Sequence, residues 1–291
     1  MSNKIEASHG YNRIPVLRLR SSLVAVLASI AVLVSSSCAG PEEAADKPSY
    51  TTVGAETPPP APTTPPPAPT TLPPRNCIDS NDFSVTPEDD SSGFPEFIVQ
   101  RDYPVRLAVI GSSSMRVMDI YGENPASPEA QALFDAAGMI PPEAAQYSAP
   151  GDQVAAIAYK SKNFIENLRL TKDGVAIIYP TTNDWFAKGE KPDITNMKTA
   201  ILNMVHGVLS KNPHAKIIIG EPGGNPDEQN KAYYNLALAA VQEAIGELKK
   251  CEIRVFVFEN RPSGYEGDGL HMDGKTYGEL GELIKRAELS G

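Results

Sequence analysis

The sequence predicts an α/β fold, a three-layer α/β/α sandwich built on a mostly parallel five-stranded sheet. Two observations carry the prediction. From Val105 onward, short apolar runs rich in β-branched residues alternate with longer amphipathic patterns, the order that builds βαβ units with helices on both faces of a sheet. The apolar runs also tend to stop at clusters of glycine, serine, asparagine or aspartate, residues that turn a chain where a buried strand meets solvent.

The first strand is "VRLAVI" over 105–110, a nearly continuous apolar run of the kind buried on both faces. An amphipathic pattern over 128–137 gives the first helix, and "AAQYSA" over 144–149 a weaker second strand. Further helices are predicted over 153–168, 194–209, 226–249 and 275–287. Between them, "GVAIIYP" over 174–180, "AKIIIGEP" over 215–222 and "IRVFVFE" over 253–259 are too short for helices and read as buried strands. No internal repeat is visible.

The chain ahead of this pattern divides in two. Arg13, Arg18 and Arg20 precede an apolar run ending in small residues, so 1–38 reads as an export segment. Residues 39–75 read as a disordered linker, because "ETPPPAPTTPPPAPTTLPP" cannot bury apolar surface and favours an extended polyproline spacer. The globular domain is therefore 76–291. The formal charge of −10 argues against nucleic acid as a partner and against electrostatic adhesion to an anionic membrane. Cys38 ends the export segment as the lipidated cysteine does in the lipobox of bacterial lipoproteins, which the stretch resembles, with Ser35 where leucine is usual. A lipoprotein, an uncleaved signal anchor and a cleaved secretory signal all place the domain outside the cytoplasm, and the first two anchor it to the cell membrane of a bacterium. In that compartment Cys77 and Cys251 form an even remainder suited to a disulfide, with two buried thiols as the alternative. No spacing of ligands points to a metal or a cofactor.

In open parallel sheets the site lies at the carboxyl ends of the strands. The loops there contain Gly111 to Ser114, Gly151 and Asp152, Asn183 to Trp185, and Asp268 with His271. A serine hydroxyl needs a base, and a histidine base needs a group that fixes its tautomer; Asp268 and His271 in one glycine-rich turn offer such a pair. Trp185 is a candidate substrate-binding wall, with core packing as the alternative. His206 and His214 have no acidic or cysteine neighbours at ligand spacing and read as structural or exposed.

Together these loops resemble the SGNH hydrolase (GDSL-like lipase/esterase) family. Its Gly-Asp-Ser block falls on Gly111, Ser112 and Ser113, its glycine block on Gly151, its Asn-Asp block on Asn183, and its Asp-x-x-His block on Asp268 and His271. Ser112 stands where the family has aspartate and Thr181 where it has glycine. The resemblance implies a flavodoxin-like sheet, with Ser113 as nucleophile, His271 as base and Asp268 as its orienter. It further implies an oxyanion hole from Ser113, Gly151 and Asn183. The expected function is an extracytoplasmic serine esterase or O-acyltransferase acting through an acyl-enzyme. Its expected partner is an acylated envelope carbohydrate or glycolipid, acetyl being the expected group. The alternative is an inactive scaffold that binds an envelope polymer or a protein.

Overall fold

The computed structural model describes residues 94–180, 182–186, 191–259, 264–265 and 271–290. The predicted export segment, the linker, Cys38, Cys77, Thr181 and Asp268 lie outside the described residues.

Six strands form one sheet: β1 (Phe97–Val99), β2 (Val105–Gly111), β3 (Ala144–Ser148), β4 (Leu170–Tyr179), β5 (Lys216–Gly220) and β6 (Val255–Phe258). Their order is β1-β3-β2-β4-β5-β6, parallel throughout except for β1, which runs antiparallel to β3. Without β1 the order is the flavodoxin-like one of doubly wound sheets. The expectation of five strands is thus corrected to six. β1 escapes a sequence reading because it is three residues long and only Val99 is buried, leaving no alternation to detect. β4 begins four residues before the predicted run, and the stretch "LTKD" gave no apolar signal because its residues are half-buried or exposed.

The helices are α1 (Pro128–Ala137), α2 (Val154–Lys160), α3 (Lys162–Glu166), α4 (Thr182–Phe186), α5 (Ile194–Lys211), α6 (Lys231–Lys250) and α7 (Gly274–Leu289). The single helix predicted over 153–168 breaks at Ser161 into α2 and α3. The one predicted from 226 starts later, because Asp227 turns the chain by accepting from the Asn230 N–H at 2.8 Å. Alternation along the central strands splits the core in two. Ala108, Ile110, Ala176, Ile178, Ile217 and Ile219 face α2, α3, α5 and α6, whereas Leu107, Val109, Val175, Ile177 and Ile218 face α1 and α7. Among the described residues, no helix is long and apolar enough to cross a membrane.

α1 and α7 pack tightly because Gly281 presents no side chain at their crossing. A Cβ there would stand 2.4 Å from the Leu133 carbonyl oxygen and 2.8 Å from the Ala136 methyl. Gly281→Ala is expected to lower unfolding free energy by about 1–3 kcal/mol through overpacking. Gly278→Ala in the same helix, where an added Cβ meets nothing within 4 Å, is expected to raise it by about 0.5–1 kcal/mol. Urea titration of both variants checks the pair, and equal effects would contradict this packing.

Candidate active site

Strand β2 delivers three consecutive serines to the carboxyl rim of the sheet, and packing gives each a different fate. Ser112 is fully buried, its N–H donating to the Tyr179 carbonyl at 3.4 Å and its carbonyl accepting from the Ser148 hydroxyl at 2.8 Å. Ser114 is 1% exposed, and its carbonyl accepts a 2.6 Å hydrogen bond from the Tyr277 hydroxyl. Only Ser113, which opens a 3₁₀ turn through Met115, is half-buried and reaches a cavity of about 620 Å³.

His271 lines the same cavity, brought there from the far end of the domain. It precedes α7, whose first turn is fixed by the Asp273 carboxylate accepting from the Thr276 N–H at 2.7 Å. The Gly264 carbonyl accepts from the Asp273 N–H at 3.0 Å and from the Thr276 hydroxyl at 2.7 Å, so the chain just after His271 is anchored twice. Tyr277, one turn into α7, lines the cavity too and makes the hydrogen bond to Ser114. The segments that carry His271 and Ser113 are thereby tied together.

The predicted oxyanion donors sit on the adjoining loops. Pro150 lines the cavity, and Gly151 follows it with φ of 78°, a left-handed turn natural to glycine. Among the described residues, the Gly151 N–H makes no hydrogen bond. Asn183 on α4 is not part of the cavity wall; its amide nitrogen donates to the Asp152 carbonyl at 2.8 Å. That nitrogen carries two N–H groups, so one remains for another acceptor. Beside it, Asp184 accepts from the Val154 N–H at the start of α2, at 3.1 and 3.3 Å. Asn183 and Asp184 therefore both clamp the loop that carries Gly151.

A charged cluster fastens the same loop from below. The Asp152 carboxylate, 1% exposed, is 2.7 Å from the Lys160 ammonium, which also reaches Glu96 at 3.6 Å. Burial works against the charge on Lys160, but the hydrogen bond and charge of Asp152, followed by Glu96, outweigh it and raise its pKa. Burial, reinforced by the negative charges of Glu96 and Asp152, pushes the neighbouring Tyr147 phenol far above its ordinary range. Neither Lys160 nor Glu96 is signalled by the sequence, since the salt bridges link the residue before β1, the β3–α2 loop and α2.

One expected site residue is elsewhere. Trp185 is 2% exposed and lies in the core, its indole N–H donating to the Gly223 carbonyl at 3.0 Å and its ring edge-on to Tyr234. The cavity's aromatic wall is built instead by Phe94 and Phe97, ahead of the first predicted strand. Arg116 also lines the cavity, with its guanidinium 3.7 Å from the Phe97 ring centre. His206 is buried in α5, where burial lowers its pKa, and His214 is exposed; neither lines the cavity. Among the described residues there is no cluster of groups that could hold a metal ion.

No protein-family model and no curated protein sequence matches the chain. Among solved structures it is similar to an active-site mutant of a family two carbohydrate esterase from Clostridium thermocellum, at 16% identity and a TM-score of 0.45, covering 65% of each chain. It is also similar to a carbohydrate esterase family 3 protein from Talaromyces cellulolyticus, at 14% identity and a TM-score of 0.46, over 64% of this chain and 96% of that one. A third is the lipase/acylhydrolase from Enterococcus faecalis, at 19% identity and a TM-score of 0.44, over 62% and 94%. The chain thus spans slightly less than two thirds of the Clostridium esterase.

The Tyr277 hydrogen bond gives this site a direct test. Tyr277→Phe keeps the ring and removes the donor, so stability is expected to fall by only about 1 kcal/mol. The rate at which a fluorophosphonate labels the protein is expected to fall about tenfold, as misplacement of reacting groups predicts. An unchanged labelling rate would mean that the bond does not position the site.

Proposed function

We propose that this protein is an extracytoplasmic serine esterase or O-acyltransferase, acting on O-acyl groups, acetyl foremost, of a cell-envelope glycan or glycolipid. The observation that carries the reading is the selection of Ser113. Of three adjacent serines the flanking two are buried, and Ser113 alone shares a cavity with a histidine from the opposite end of the domain.

In this mechanism His271 takes the Ser113 proton as the hydroxyl oxygen attacks the ester carbonyl, and Asp268 orients the imidazole and stabilises its charged form. Charge gathers on the carbonyl oxygen, where the Ser113 and Gly151 N–H groups act as donors, while Asn183, outside the cavity wall, holds the Gly151 loop; fixed donors of this kind lower a barrier by several kcal/mol. His271 then protonates the leaving alcohol, and the serine is left acylated. Water attacking the acyl-enzyme completes hydrolysis, whereas a sugar hydroxyl completes transfer.

The location belongs to the same proposal. Lipid on Cys38, or the uncleaved apolar run before it, anchors the chain to the membrane, and the proline-rich linker holds the domain away from it. With Cys38 lipidated, Cys77 is the partner left for Cys251, the disulfide cysteine at the end of α6.

Hydrolysis of 4-nitrophenyl acetate and release of acetate from an acetylated oligosaccharide test the chemistry. Ser113→Ala and His271→Ala are each expected to lower kcat/KM by about 10³ or more. A folded wild-type protein that turns over neither substrate, or a Ser113→Ala variant that keeps its activity, would overturn the reading and favour a binding module.

A further inference from the structure

Arg116 is three residues beyond Ser113, and its surroundings fix it. Its N–H donates to the Ser113 carbonyl at 3.0 Å. The next two N–H groups, of Val117 and Met118, both donate to the buried Gln146 side-chain oxygen, at 2.7 and 2.8 Å. The guanidinium then lies 3.7 Å from the centre of the Phe97 ring, so one of its faces is occupied by a cation–π contact. Stacking of this kind leaves the rim of N–H donors open, in the fork geometry that meets an oxyanion with two parallel hydrogen bonds.

No carboxylate among the described residues is ion-paired with Arg116. The other charge lining the cavity, Glu129, stands on the first turn of α1 and does not pair with it either. A stacked arginine that lines the same cavity as Ser113, with its fork unused, is a preformed receptor. One cation, in a wall that also holds a carboxylate, suits a monoanion better than a phosphate dianion.

We infer that this cavity takes O-acyl esters whose acid or alcohol half carries a carboxylate, and that Arg116, braced on Phe97, binds that carboxylate. The inference rests on reading the cavity as the esterase site, and it names the substrate class of that site. It also gives β1 a role: the segment that follows the predicted linker supplies the ring that presents the arginine.

The test is calorimetric binding to the full chain carrying Ser113→Ala, so that no ester is consumed. Two matched pairs locate the charge: acetylated methyl galacturonoside against acetylated methyl galactoside for the alcohol half, and 4-nitrophenyl hemisuccinate against 4-nitrophenyl butyrate for the acid half. In at least one pair the carboxylate member is expected to bind about tenfold or more tightly, the scale of a charge-assisted bidentate contact. Adding Arg116→Gln is expected to bring that ratio to near one, and Phe97→Leu to reduce it partly. A ratio near one with Arg116 present, or one that survives Arg116→Gln, would overturn the inference. Ser113-dependent hydrolysis of the neutral esters by the wild-type chain is measured alongside. Its presence with no charge preference removes only the role of Arg116, and its absence despite Arg116-dependent binding removes only the esterase.

Discussion

The hydrogen bond from the Tyr277 hydroxyl to the Ser114 carbonyl joins two segments that nothing in the chain's local order would bring together. One is the turn at the end of β2, in the middle of the sheet, and the other is the start of α7, the last helix of the domain. Catalysis by a serine needs its base within hydrogen-bond reach. A parallel sheet supplies the common rim, but a rim is several residues wide. The tyrosine narrows it by fixing α7 against the serine turn, while the close α1–α7 packing at Gly281 holds the helix down on the sheet. The bond also buries Ser114 as an acceptor, which leaves Ser113 to face the cavity.

A second constraint acts on the loop that Pro150 brings to the cavity. The loop from Pro150 to Gln153 is gripped by the Asn183 amide and the Asp184 carboxylate from α4, and by the Lys160–Asp152 pair from α2. An ion pair with one carboxylate fully desolvated adds little net stability, since desolvation offsets most of the attraction. Its effect is geometric: together with the bonds from α4 it restrains the loop that carries Gly151. Donors that do not have to reorient as charge develops are the ones that stabilise a transition state. Hydrogen bonds and charge thus hold the Gly151 loop, as hydrogen bonds from Tyr277 and Ser148 hold the serine turn.

Much of this was legible in the sequence, for physical reasons that differ by element. β2, β4 and β5 announce themselves because both of their faces are buried over most of their length, and the helices because one face is. β6 was expected to be buried too, but it is an edge strand in which only Phe258 is, and its β-branched and aromatic residues are what made it readable. β1 carries neither signal, so Phe97 was invisible as a site residue, and nothing in the sequence singled out Arg116, whose place depends on that ring. The ordered set of Ser113, Gly151 and His271 could be read because rim loops carry the functional groups of any open α/β sheet. Among the three serines, residue types alone made no choice and only the family resemblance pointed to Ser113; the packing that buries Ser112 and Ser114 depends on Ser148 and Tyr277, distant in sequence and close in space. Trp185 shows the converse. An aromatic residue beside Asn183 invited a substrate contact, yet α4 turns that side chain inward against α6 and only the half-exposed Phe186 outward.

The central claim is that the protein carries one activated serine and that packing decides which. The most direct measurement is fragment-ion mapping of a fluorophosphonate adduct on the peptide containing residues 112–114. This account predicts a single adduct, on Ser113. An adduct on Ser112 or Ser114, or none from the folded protein, would contradict it.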